Sequence, residues 1–127
     1  NYLKLILEEK GVKYTSVTPM AFESTDEFFS KPIAQRQYPY FAPPILKHGQ
    51  FISSQMPASC QYLAKKYKMD AESLEDSTHA LMVCMNCNDI FCDLTRDNGN
   101  KMWTLDEWKE FKAKRLPKWL DLLRQLL

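Results

Sequence analysis

Nothing in this sequence tips its charge: 17 Lys and Arg stand against 16 Asp and Glu, a formal net charge of +1. No global field draws the protein towards nucleic acid or an anionic membrane surface, so partners have to be sought in local sites. Long apolar runs are missing too. None approaches the roughly 18–20 residues that a membrane span requires, and Asn1 is not followed by the basic-then-apolar pattern of a signal peptide. A disulfide framework is equally lacking. There are four cysteines, three of them crowded between Cys84 and Cys92, whereas a secreted scaffold spreads its cysteines over the loops it staples. The expectation is a cytoplasmic protein in a reducing compartment. Internal repeats and low-complexity tracts are absent as well. What is present is a 45% share of hydrophobic residues in a chain of 127, enough for one ordinary core or two small packed layers.

The order of elements can be read from period and punctuation. "NYLKLILEEKG" places Leu3, Ile6 and Leu7 on a helical period with Gly11 just beyond, a helix closed by a left-handed glycine. Because no start signal precedes it, the chain is expected to begin inside a larger fold. "VKYTSV", Val12 to Val17, alternates and is rich in β-branched residues, so it predicts a strand. "STDEFF" pairs Ser24 with Glu27 in a capping box, predicting a short helix that Pro32 stops. Pro39, Pro43 and Pro44 keep the next stretch extended. Ile45 to His48 then predicts a strand that turns at Gly49 into Phe51 to Ser53. From Ser54 a helix runs to about Met69, with Pro57 tolerated in its first turn. Polar, acidic "DAESLEDST" predicts a linker, and Ser77 or Thr78 would cap a helix through Leu94. "DNGN", Asp97 to Asn100, predicts a turn. Thr104 with Glu107 opens a last long helix, kinked at Pro117, with Leu105, Trp108, Phe111, Leu116, Trp119, Leu120 and Leu123 on one period. A small α/β layer followed by an all-α part is the expected architecture.

Several chemistries can be weighed against plainer readings. "CMNC", Cys84 to Cys87, has redox or zinc spacing. A redox thiol belongs at a helix N-terminus, however, and Cys84 falls about two turns inside a helix on its apolar face. On the same helix His79 and Cys92 project about 140° away from Cys84 and Cys87 respectively, so four zinc ligands cannot converge. Buried free cysteines and no metal are expected. His48 and His79 have no partners that suggest a triad; they read as a turn residue and a first-turn helix residue. The lysines of "DEWKEFKAKRLPK" alternate with acids, Glu110 and Lys114 being four apart, which describes a solvated helix face rather than a nucleic-acid stripe.

Taken in order, the motifs resemble the glutathione transferase superfamily across nearly the whole chain. "LILEEKGVKY" resembles that family's first helix and second strand, "PPIL" its proline and third strand, and "SSQMPASCQYLAKKY" its Gln-Ser-x-Ala helix start. "NDIFCDLTR" and "KRLPKWLDLL" are similar to its fourth and fifth helices. The resemblance implies a thioredoxin-like part over residues 1–69, a linker over 70–77 and a helical part over 78–127, with neither end of the fold complete. It implies a cis bond before Pro44 and a glutathione site. In that site Pro43 would meet the cysteinyl backbone, although it has no N–H to donate. Gln55 and Met56 would meet the γ-glutamyl carboxylate at the positive end of a helix, with Met56 standing where a serine or threonine is usual. Lys31, Gln35 and Arg36 are candidates for the glycyl carboxylate. Asp93 belongs to a narrow polar stripe with Asn86, Asp89 and Arg96, and the resemblance implies that it reaches the α-amine of ligand bound to a neighbouring subunit of a homodimer.

Two functions follow from the resemblance. One is a detoxification enzyme that uses glutathione as substrate and conjugates its thiolate to hydrophobic electrophiles, with no metal, nucleic-acid or membrane partner. The other is a non-catalytic binding or assembly module on the same fold. The residue that would decide between them, a thiol-activating Tyr, Ser or Cys, is expected upstream of Asn1. Tyr2 and Tyr14 align with helix and strand positions and are not nominated.

Overall fold

The computed structural model describes residues 2–17 and 31–126 of the chain. It divides into two compact units, Asn1–Ser73 and Leu74–Leu127.

The first unit opens with α1 (Tyr2–Glu9), which buries Leu3 and Leu7, one turn apart on the same face. Its end is a doubly bonded left-handed cap. The Val12 N–H donates to the Leu7 carbonyl and the Gly11 N–H to the Glu8 carbonyl, both at 2.9 Å, with Gly11 at φ +61°. A β-carbon at Gly11 would meet open space, so backbone conformation alone asks for glycine there. The expected strand Val12–Val17 is not formed: these residues carry no regular element, and the sheet among the described residues has two strands. Alternation supplies strand propensity, but a strand exists only where a neighbour completes its hydrogen-bond ladder. The short helix expected at Ser24 lies outside the described residues.

After a single 3-10 turn (Ile33–Gln35) comes the hairpin of β1 (Ile45–His48) and β2 (Phe51–Ser54), paired Ile45 with Ser54 through His48 with Phe51. Gly49, at φ +58°, makes the tight two-residue turn possible. The helix α2 (Met56–Lys66) follows at once and buries Pro57, Ser59, Cys60 and Leu63. It packs on α1 and on both strands. Leu3, Leu7, Tyr40, Ile52, Cys60 and Leu63 form the small core. The helix stops three residues before the expected Met69 because Lys68, at φ +54°, takes the left-handed cap position that glycine fills in α1, with the Met69 N–H donating to the Ala64 carbonyl at 2.8 Å.

The second unit is all helix: α3 (Leu74–Gly99), α4 (Leu105–Lys114) and α5 (Leu116–Leu126). Four residues of the expected linker are therefore the first turn of α3, where Glu75 and Asp76 complement the positive helix end. Thr78 is no cap. Its hydroxyl donates to the Leu74 carbonyl at 2.7 Å, one turn back inside the helix, and His79 lies in the second turn rather than the first. The expected turn at Asp97 is absorbed into the end of α3, where Arg96 and Asp97 both have positive φ. Thr104 and Glu107 make the full capping box that opens α4. Pro117 does more than kink a helix: the chain breaks at Arg115 and Pro117 falls in the first turn of α5, where a missing N–H costs nothing. Phe111 is the buried centre of this unit, with the Trp103 and Trp108 rings 5.1 and 5.6 Å from it. The other apolar positions of the expected stripe are more open, Leu105 and Leu120 being exposed.

Candidate functional site

In the first unit the stretch from Pro43 to Met56 is a continuous piece of geometry. The Pro43–Pro44 bond is cis, the hairpin follows, and Gln55 joins β2 to α2 with φ +71° and ψ +112°. A non-glycine residue held there carries about 1–3 kcal/mol of backbone strain, which the surrounding structure has to offset. Gln55 occupies the cap position of α2, yet its side chain caps nothing. Its carbonyl accepts the Ser59 N–H at 3.1 Å. Amides of the first turn are thus left without a side-chain partner, at the positive end of the helix. The Met56 side chain is engaged elsewhere, accepting a weak bond from the Cys60 thiol at 3.7 Å.

Two serines that the sequence reading passed over hold this junction. Ser59 is fully buried, and its hydroxyl lies 2.7 Å from that of Ser53 on β2, tying the strand to the helix next to Gln55. A buried polar residue needs a partner, and the signal was a serine on the apolar face of an otherwise readable helix.

The loop before the hairpin is organised by Arg36. Its Nε donates to the Lys31 carbonyl at 2.9 Å, its Nη1 donates to the Tyr40 carbonyl, and its guanidinium lies 4.9 Å from the centre of the Tyr40 ring. Arg36 is therefore a staple of residues 31–40. Gln35 sits in the 3-10 turn, exposed, its N–H donating to the Pro32 carbonyl. The side-chain amide that does reach the hairpin is that of Gln37, which donates to the Gln50 carbonyl at 2.7 Å. Gln37 and Tyr38 face β2 across a pocket of about 360 Å³ that also touches Ser54 and Ala58, on either side of Gln55 and Met56 in sequence. Pro43, Gln55 and Met56 are not part of its lining.

In the second unit Asp93 is occupied. Its Oδ2 accepts from Arg115 Nε at 2.9 Å and from Trp119 Nε1 at 2.8 Å, and the Arg115 hydrogen bond leads in holding its carboxyl below the usual carboxylate range. Asp89, one turn earlier, is exposed. Glu107 is lowered to about 2, first by its bonds to Arg96 and then by the Thr104 backbone and hydroxyl. Cys92, Asp93, Arg96, Asp97, Trp103, Phe111 and Arg115 line a pocket of about 300 Å³ in this unit. The four cysteines form no disulfide, but Cys84, Cys87 and Cys92 are half-buried rather than buried. No cluster of three metal-ligating side chains exists among the described residues, and no helix there is long and apolar enough to cross a membrane. Tyr14 donates to Glu8 Oε1 at 2.7 Å, and that bond raises its pKa, the opposite of what a thiol-activating phenol needs.

Comparison with known proteins gives two matches. The family profile described as "Glutathione S-transferase, C-terminal domain" matches residues 79–126, which lie inside the second unit. A protein named glutathione S-transferase from Plasmodium falciparum (isolate 3D7) is 29% identical over 129 aligned positions, covering 98% of this chain. The helical unit is thus similar to the C-terminal domain of glutathione S-transferases, and the chain along its length to one such protein. The chain spans a little over half, 57%, of the length of that curated relative. The glutathione S-transferase profile accounts for the helical unit. In the first unit, the two-stranded hairpin with its helices is compatible with the family's fold, while the fuller sheet of a thioredoxin-like half is not formed among the described residues.

Proposed function

We propose that this chain forms part of a glutathione transferase, which brings the glutathione thiolate to a hydrophobic electrophile in the cytoplasm. The observation that carries the reading is the junction at Gln55, where a hairpin led by Pro44 runs into a helix whose first amides have no side-chain cap. In this reading the Pro43 carbonyl accepts the cysteinyl N–H of glutathione in strand-like fashion. The Met56 amide, the Gln55 side chain and the positive end of α2 hold the γ-glutamyl carboxylate. With Arg36 tied into its own loop, Lys31 is the better cation for the glycyl carboxylate, and Gln35 a weaker partner. In the conjugation step the sulfur forms a bond to the electrophilic carbon, the leaving group departs with its electron pair, and the thiol proton goes to solvent.

The protein is proposed to act as a homodimer, with Asp93 serving ligand bound to the partner. Its Oδ2 is already committed to Arg115 and Trp119, which makes exposed Asp89 the alternative carboxylate on the same helix. A non-catalytic binding module is the second reading. It is favoured by one specific set of facts: Pro43 has no N–H, Met56 points at Cys60, and Arg36 is stapled.

Calorimetric titration of the complete protein with glutathione tests the first reading. Saturable binding that Gln55→Ala weakens is expected, together with turnover of a chlorodinitrobenzene electrophile. No heat at millimolar glutathione leaves the non-catalytic module. Asp93→Asn is expected to weaken binding by roughly 1–3 kcal/mol and Glu110→Gln by about zero. Equal effects remove Asp93 from the site, and a monomer in sedimentation removes the dimer.

A further inference from the structure

The pocket of about 360 Å³ in the first unit lies outside the glutathione reading, since none of the residues that line it has a role there. Its lining places it on the sheet. Four consecutive β2 residues, Phe51 to Ser54, border it and no β1 residue does. A pocket over one face would touch alternate residues, so this one runs along the outer edge of β2. Gln37 and Tyr38 form its other bank, and Gln37 closes one end by donating to the Gln50 carbonyl at 2.7 Å.

The pairing of the hairpin fixes what that edge offers. Across the two-residue turn His48 and Phe51 exchange ladder hydrogen bonds, as do Leu46 and Ser53, so the N–H and C=O groups of Ile52 and Ser54 point away from β1. Among the described residues no hydrogen bond takes these groups up. Phe51 to Ser54 also carry no charge, proline or bulge, the devices that close an edge to further pairing. A donor and an acceptor repeated two residues apart match another extended backbone. Side chains narrow the choice. No charged residue lines the slot, and the rings of Tyr38, 56% exposed, and Phe51 offer an aromatic seat. We propose that the outer edge of β2 binds an extended, uncharged peptide segment of a partner protein as an added strand. Its backbone pairs with Ile52 and Ser54, and one of its apolar side chains sits between Tyr38 and Phe51.

Amide hydrogen exchange in the full chain, with and without an acetylated and amidated threonine-valine-threonine-valine-threonine peptide, tests the assignment. The Ile52 and Ser54 amides should exchange readily in the free protein and about tenfold more slowly at saturating peptide, while Lys47 on the opposite edge stays unchanged. The same peptide N-methylated at every residue keeps its side chains and loses its donors, and should bind at least about tenfold more weakly. Ser54→Pro removes one edge donor without breaking a ladder bond and should also cost about tenfold. Tyr38→Ala, which leaves the ladder alone, should weaken binding about fivefold. Ile52 and Ser54 amides already protected in the free chain overturn the proposal, as does an N-methylated peptide that binds equally well. Protection of Lys47 instead moves the added strand to β1 and is equally fatal. If Ser54→Pro unfolds the unit, Tyr38→Ala decides in its place, and an unchanged affinity there ends the assignment.

Discussion

Glu107 closes the capping box of α4 and grips Arg96 with the same carboxylate, and its lowered pKa turns that double duty into a pH dependence. Its folded pKa of about 2 lies below the 4.5 of an unperturbed glutamate. The stability it contributes is therefore complete above about 4.5 and is lost as pH falls towards about 2. Glu107→Gln should flatten the acid limb of the helical unit's unfolding in that window, measured by circular dichroism, and leave the neutral-to-alkaline side parallel to wild type. Asp93 has the same sign of shift. Being about a third exposed, it should cost no more than about 1 kcal/mol as Asp93→Asn. Ser59 is a sharper case because it is fully buried. Ser59→Ala should cost about 1–2 kcal/mol by leaving the Ser53 hydroxyl without its partner, and the double variant Ser53→Ala, Ser59→Ala should cost less than the sum of the singles in denaturant melts.

At the scale of elements, what was legible followed local punctuation. The Gly11 cap, the Gly49 turn and the Thr104–Glu107 box each name their own place, and those boundaries agree with the structure. What was not legible depended on partners or on residues acting out of type. Val12–Val17 has the composition of a strand and no ladder to join. Lys68, Arg96 and Asp97 take left-handed conformations with nothing in their side chains to announce it, so the ends of α2 and α3 were misplaced by a few residues. In the candidate site the helix start at Gln55 was legible from its order in the chain, whereas the hydrogen bonds that Arg36 and Asp93 make within their own units depend on tertiary neighbours that the sequence does not name. Gln55 itself gives a prediction. Gln55→Gly should stabilise the first unit by about 1 kcal/mol, since relief of about 1–3 kcal/mol of strain outweighs the roughly 0.5–1 kcal/mol that glycine costs in chain entropy. Thermal unfolding of this variant against Gln55→Ala separates the backbone effect from loss of the side chain.

For the whole molecule, the near balance of 17 basic and 16 acidic residues carries over directly from sequence to behaviour. Retention on a heparin column at low salt should be negligible, and strong retention would mean a clustered basic face. The acidic stretch 70–77 straddles the division between the two units, its second half lying in the first turn of α3. The distribution of thiols across the two units has a kinetic consequence. Cys60 is buried under the first unit's core, while Cys84, Cys87 and Cys92 are half-open along α3. A small alkylating reagent should tag the α3 thiols at rates set by collision and Cys60 only as fast as its unit opens. Mass spectrometry of a timed alkylation would thus read a native-state opening rate for one half of the chain, with the other half as its internal clock.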